Sequence, residues 1–438
     1  MMSRCIALLL CLFVVSCGSG KKKSSEDFRT TFGYFLETGN SSVSGVLMSI
    51  TSKKDIELFQ TQTGATQVDG LGFLVGRIVD PAGSPLGGVV VTAQNDFGLA
   101  AGSLFYQSAI SGAFLPGFIA TTATGRFIVM NVSPGRVNLK CGTGADGNLY
   151  VQAYGGAANF VEITASTPKA SPQPTWSGVT QNLGGTGSAL PGAPEPSVTY
   201  QILGTTGLTG TSDVTTGAFN LGTVNALNVY IMKCSKSAFV DTYSYVLTQT
   251  SDLTSGSGGG NVLIASAANR DAELVPTGVT LTPGTGIFRG RVLDSAGGFA
   301  VQARDGNDAI VGEVWYGNGV NGAPDGTLTT TQPDGIFYVY NLPPGQIFLR
   351  ATKSNQVATA YVDAFADGIT VVYDLVPLTQ GAATITVSGA LISLQGFAVP
   401  DGNITLHGLG IGATSDSFGE YSLKNVPTRH LFIVRTSK

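Results

Sequence analysis

The sequence predicts an all-β protein, about four tandem β-sandwiches behind an export segment and a short tether. Three observations carry that expectation. The stretch Phe73–Lys140 is a punctuated series of strands: F-L-V-G-R-I-V-D, a turn at Pro81–Pro85, G-V-V-V-T-A, then T-G-R-F-I-V-M-N-V-S-P-G-R-V-N-L-K. β-branched and apolar residues between Gly, Pro and Asn breaks are the signature of short strands, with the tight turn placed at Asn131–Gly135. The pattern returns: I-F-R-G-R-V-L-D (Ile287–Asp294) matches Phe73–Asp80 nearly position for position. Finally, 60 Gly and only 12% charged residues suit strands and turns, and 438 residues suffice for several sandwich-sized cores.

Taken in order, residues 18–72 form a tether, with aromatics at Phe28, Phe32, Tyr34 and Phe35, followed by a candidate half-repeat. V-S-G-V-L-M-S-I (Val43–Ile50) and D-I-E-L-F (Asp55–Phe59) resemble V-S-G-A-L-I-S-L (Val387–Leu394) and N-I-T-L-H (Asn403–His407). An amphipathic helix over Val46–Phe59 fits equally well, because short apolar runs do not decide between periods. Repeat one spans 73–164, a degenerate repeat two 176–282, repeat three 286–378, and a truncated repeat four 385–438. The proline-bearing linker Ala165–Thr175 reads as stiff and extended. Repeat four ends after His430–Arg435, two strands short of repeats one and three. Its open edge calls for a strand, from Val371–Leu378 or from outside: the half-repeat of a neighbouring copy, or a partner.

The motif of repeat one resembles the carboxypeptidase regulatory-like domain. Ile78 stands for its usual Val, Arg126 lies in its G-x-F turn, and Val137 replaces the usual aromatic. The resemblance implies a transthyretin-like (prealbumin-like) sandwich of seven or eight strands that binds or spaces and does no chemistry of its own. Fold alone does not give function.

Residues 1–17 read as a cleaved signal: Arg4, an apolar Cys5–Val15 too short to span a bilayer, then Val14-Val-Ser-Cys17. That ending resembles a bacterial lipobox, which implies lipidation of Cys17 and anchoring to a membrane. Gly18 after the cysteine, where an Asp is absent, points to the outer membrane. Cys141 and Cys234 remain, at ends of strands in separate repeats, and are expected to be buried free thiols.

Spacing adds a second layer. Ala93 to Gly125 and Ala303 to Gly335 both span 32 positions (125−93, 335−303), so repeats one and three carry a long arm that repeats two and four lack. The duplicated unit therefore reads as a pair of sandwiches, long-armed then short-armed. Each arm holds an aromatic pair, Phe105-Tyr106 and Trp315-Tyr316, the candidate binding residues. One ring of each pair would face a sugar or a partner, or both would cover the arm's own core.

Enzyme motifs fail. The two histidines, His407 and His430, have no carboxylate at ligand spacing, so no metal or cofactor is expected. The strings Gly142–Gly147 and Gly317–Gly322 match G-x-G-x-x-G without a following helix and read as hairpin turns. Asp305, Asn307 and Asp308 read as a polar turn rather than a calcium loop. A net charge of −4 with no basic stripe excludes nucleic acid. The expectation is a non-enzymatic lipoprotein that binds polysaccharide or protein, or spaces them; the alternative is a structural subunit of an envelope or adhesion assembly.

Overall fold

The computed structural model describes residues 28–37, 41–142, 144–167, 173–183, 191–226, 228–248, 251–254, 260–372, 374–379, 384–428 and 431–438. The export segment with Cys17, His430, linker residues 168–172 and most of the Ser255–Gly260 run lie outside them. The fold is all-β with two short helices, and the chain divides into two compact units. The first holds residues 1–95, 99–169 and 381–438, the second 96–98 and 170–380.

Each unit contains two sandwiches that share one continuous nine-stranded sheet. In the second unit the strand order is Thr209–Thr211, Thr199–Ile202, Val229–Ser235, Thr242–Leu247, Ile369–Val371, Gly286–Arg291, Ile336–Leu342, Glu313–Gly317, Pro324–Asp325. In the first it is Ile411–Thr414, Asn403–Leu406, Leu431–Ser437, Thr31–Glu37, Ala158–Thr164, Gly72–Val79, Arg126–Val132, Ser103–Gln107, Phe114–Leu115. The two orders correspond strand for strand. Smaller sheets close each sandwich, for example Val91–Gln94, Gly135–Cys141 and Asn148–Ala153 over the core of Leu74, Phe127, Val137 and Leu139.

The units differ in how the chain runs through this plan. In the second, Val229–Ser235 turns directly into Phe239–Val240 and Thr242–Leu247. In the first, the same places belong to opposite ends of the described chain. Leu431–Ser437 pairs antiparallel with Thr31–Glu37, and Ile385–Ser393 lies parallel to Val43–Ser52. Small details coincide. Thr31 Oγ1 accepts from Thr51 N at 3.1 Å, as Thr242 Oγ1 does from Ala265 N at 3.0 Å. Lys438 Nζ lies 5.4 Å from the centre of the Phe28 ring, as Lys236 Nζ lies 5.0 Å from that of Phe239. The first unit is thus a circular permutation of the second, with its break where the second has a tight turn.

This arrangement fills the open edge of repeat four with strands of the same chain. The other local remedy is not used: Ile369–Val371 belongs to the second unit's large sheet, between Thr242–Leu247 and Gly286–Arg291. It also regroups the repeats, joining a short-armed sandwich to a long-armed one as repeat two with three and repeat four with one.

The segment Val43–Phe59 satisfies both sequence readings in part. Val43–Ser52 is a strand and Lys53–Thr63 a helix. Asp55–Phe59, expected as a strand by analogy with Asn403–His407, is helical because Ser52 starts the turn: its hydroxyl accepts from Asp55 N while Asp55 accepts from Ser52 N, a reciprocal cap. Ile56 and Phe59, three apart, then share the buried face. Ser266 caps the equivalent helix Ala267–Leu274 through Asn269 N.

The recurring G-x-F/Y and N-V/L pairs have physical reasons. Gly125, Gly217, Gly335 and Gly419 all adopt positive φ between 66° and 79°. A Cβ on Gly125 would also sit 2.4 Å from Ile78 O, so only glycine fits. Asn131, Asn341 and Asn425 sit in the left-handed region at 58°, 58° and 59°, each within a register shift of its strand pair. The chain turns between Val132 and Gly135 as expected, and the Asn131 amide, which accepts from Val68 N and donates to Thr66 O, also tethers the segment leaving the helix.

Candidate functional site

The arms place their aromatic pairs on strands Ser103–Gln107 and Glu313–Gly317, so neighbouring rings point to opposite faces. Tyr106 and Tyr316 point into the sandwich cores, 2% and 5% exposed. Each hydroxyl accepts from the backbone across the sandwich at 2.8 Å, Tyr106 from Val91 N and Tyr316 from Val301 N. Burial raises the pKa of both phenols, keeping them protonated. These two residues therefore leave the set of candidate binding residues, because their ring faces are covered. Phe105 and Trp315 point the other way and are half-buried against the helix-side clusters, Phe105 with Ile56 and Phe59, Trp315 with Leu274 and Tyr338. Neither of these two rings lies fully open.

Replacing Tyr106 or Tyr316 by Phe is expected to cost about 1–3 kcal/mol, by leaving a buried strand N–H without its acceptor. The check is thermal melting of each variant beside binding to a glycan array. Lowered melting with no change in binding is the expected outcome.

The remaining motifs resolve into turns. Gly142–Gly147 links Gly135–Cys141 to Asn148–Ala153, with Cys141 N donating to Gly147 O, and Gly317–Gly322 closes the hairpin at the end of the second arm. The Asp305 carboxylate accepts from Asn307 N and Ala309 N, both at 2.9 Å, within its own turn. His407 is buried just beyond Asn403–Leu406, its N–H donating to Ile433 O. Among the described residues no group of three or more His, Cys, Asp or Glu could hold a metal ion. Also among them, no helix is long and apolar enough to cross a membrane.

Both remaining cysteines are free and buried. Burial pushes each thiol up to about 12, helped by Asp146 near Cys141 and Asp241 near Cys234. The folded thiols stay protonated where an unfolded thiol, near 8.5, ionises. Their contribution to stability is complete below about pH 8.5 and is lost between there and about pH 12. In a chain lacking residues 1–20, a thiol reagent at pH 8 is expected to label neither cysteine until denaturant is added, and then both.

Sequence reading missed the most polar feature of the interior. In the second unit Glu273 on the helix and Arg289 on Gly286–Arg291 form an ion pair of 3.0 Å with side chains only 6% and 4% exposed. The Arg289 guanidinium lies 5.6 Å from the centre of the Tyr338 ring, and Tyr338 stacks on Tyr340 with ring centres 6.0 Å apart. Aligning the caps and strands places Phe59, Val75, Ile128 and Met130 at these positions in the first unit, where they form an apolar cluster. Comparing I-F-R-G-R with F-L-V-G-R could have exposed the Arg289/Val75 difference; its buried partner depended on a helix that the sequence left undecided. A cavity of about 340 Å³ lies beside this helix, between Leu274, Leu281, Ile287 and Asp367. Its polar rim is engaged in local structure: Arg270 Nε donates to Asp271 at 2.8 Å, and Asp367 accepts from Gly284 N at 2.7 Å.

No family model matches the chain, and no curated protein matches it. Solved structures similar to parts of it include three from bacteria. The Bacillus anthracis TIE protein is 12% identical over 70% of this chain and 50% of its own, with a TM-score of 0.17, so this chain spans half its length. A streptococcal ancillary pilin is 12% identical over 70% of this chain and 99% of its own, TM-score 0.16. BcpA, the major pilin subunit of Bacillus cereus, is 11% identical over the same shares, TM-score 0.16.

Proposed function

We propose that this protein is a non-enzymatic structural module of a bacterial envelope or surface assembly, held to the outer membrane by a lipid on Cys17. The observation that carries the structural reading is the shared sheet. Within each unit one strand, Thr31–Glu37 or Thr242–Leu247, is paired on both edges, so two sandwiches are fastened into one body. Of the four aromatics proposed to bind, Tyr106 and Tyr316 are buried in the cores and Phe105 and Trp315 are half-buried against the helix-side clusters. That favours spacing and assembly over polysaccharide recognition. The lipobox-like ending of the export segment supports the anchor.

Fractionation tests the anchor: Cys17→Ala is expected to move the protein from membranes to the soluble fraction, with a mass reflecting an unprocessed or differently cleaved leader. Membrane association and mass unchanged in the variant would refute it. A native pull-down with the acyl-free chain separates the two binding readings, with envelope proteins rather than polysaccharide expected to co-purify.

A further inference from the structure

The sandwich that closes the first unit is assembled from two pieces with no direct covalent link. One is the amino-terminal strap, Phe28–Arg29, Thr31–Glu37 and Val43–Ser52, continued by the helix Lys53–Thr63 that rests on Phe73, Phe114 and Ile128. The other is the carboxy-terminal half from Ile385 to Ser437, whose Val387, Leu391, Leu423 and Phe432 share a core with Ile50 and Met48 of the strap. Between the two lie the rest of the first unit and the whole second unit. In the second unit the equivalent pieces follow one another in the chain. The carboxy-terminal half is therefore kept in place by contacts that any identical strap offers equally, and by whatever effective concentration the intervening chain provides.

We propose that this half also closes on the strap of a second copy of the chain, so that copies join through a reconstituted first unit. The occupant is fixed by the surface itself. The strap presents the strand pairings, the core side chains and the Thr31 and Ser49 carbonyls that accept from Thr436 Oγ1, all of which the half already uses, so the junction between copies needs no new complementarity. Exchange of an identical element between copies is a low-cost route to association. Two copies exchanging halves give a closed dimer, and successive copies give an open chain. The proposal stands independently of where the protein is displayed or how it is anchored.

The test uses the full chain with its five native cysteines replaced by alanine. Thr31 and Thr436 face one another across the closing strands, and directly opposed residues in an antiparallel pair lie within disulfide reach. The double variant T31C/T436C reports closure within one chain. An equimolar mixture of T31C and isotope-labelled T436C, incubated at increasing concentration and oxidised, reports closure between chains. Expected is a disulfide-linked species containing one copy of each variant, rising with concentration and exceeding the self-pairs of either variant alone. The proposal is overturned if the mixture gives no such species above self-pairing while the double variant closes within its own chain. Failure here leaves the anchoring reading intact, and unaltered fractionation of Cys17→Ala leaves this one intact.

Discussion

Removing residues 384–438 is expected to open the first unit and leave the second folded. The truncation takes away Leu391, Ile404, Leu406, Tyr421, Leu423, Phe432 and Val434, all buried in the closing sandwich. At roughly 1.5–3 kcal/mol for each large apolar side chain, that loss is as large as the whole net stability of an ordinary domain, about 5–15 kcal/mol. Thr31–Glu37 would lose one of its two neighbours and Val43–Ser52 its longest pairing. Hydrogen exchange in both strands should become fast. Gly286–Arg291 and Thr242–Leu247, which pair only within the second unit, should keep their protection. Unchanged protection in Thr31–Glu37 would show that the strap is held without its partner.

Glu273→Ala is expected to destabilise the second unit by about 3–5 kcal/mol, because Arg289 would be left charged and buried without a counter-ion. The first unit supplies the rescue. Combining Glu273→Phe with Arg289→Val installs the residues found at Phe59 and Val75, and should recover at least the parent stability, since well-packed apolar replacements of buried ion pairs are often neutral or stabilising. Both tryptophans, Trp176 and Trp315, lie in the second unit, so their fluorescence during denaturation follows that unit alone. A double variant as unstable as Glu273→Ala would mean that the pair is required by the surrounding fold, not merely tolerated.

What the sequence determined by itself was local and repetitive. The alternation of Phe73–Asp80, its return at Ile287–Asp294, and glycines where φ is positive, as at Gly125, follow from the period of a strand and the sterics of a turn. These residues announce the sandwiches, the two long arms and the burial of both cysteines without reference to distant chain. The tertiary structure decided everything that depends on which surface meets which. It settled that Tyr106 and Tyr316 face inward to accept strand N–H groups, since alternation says that neighbours diverge but not which one finds the core. It settled that Ser52 ends a strand and starts a helix. Above all it settled that Leu431–Ser437 finds Thr31–Glu37, because an unpaired edge specifies a strand to fill it but not where in the chain that strand lies. The match of V-S-G-V-L to V-S-G-A-L was legible as likeness between Val43–Leu47 and Val387–Leu391; that the like strands lie side by side as halves of one sandwich was a matter of packing alone.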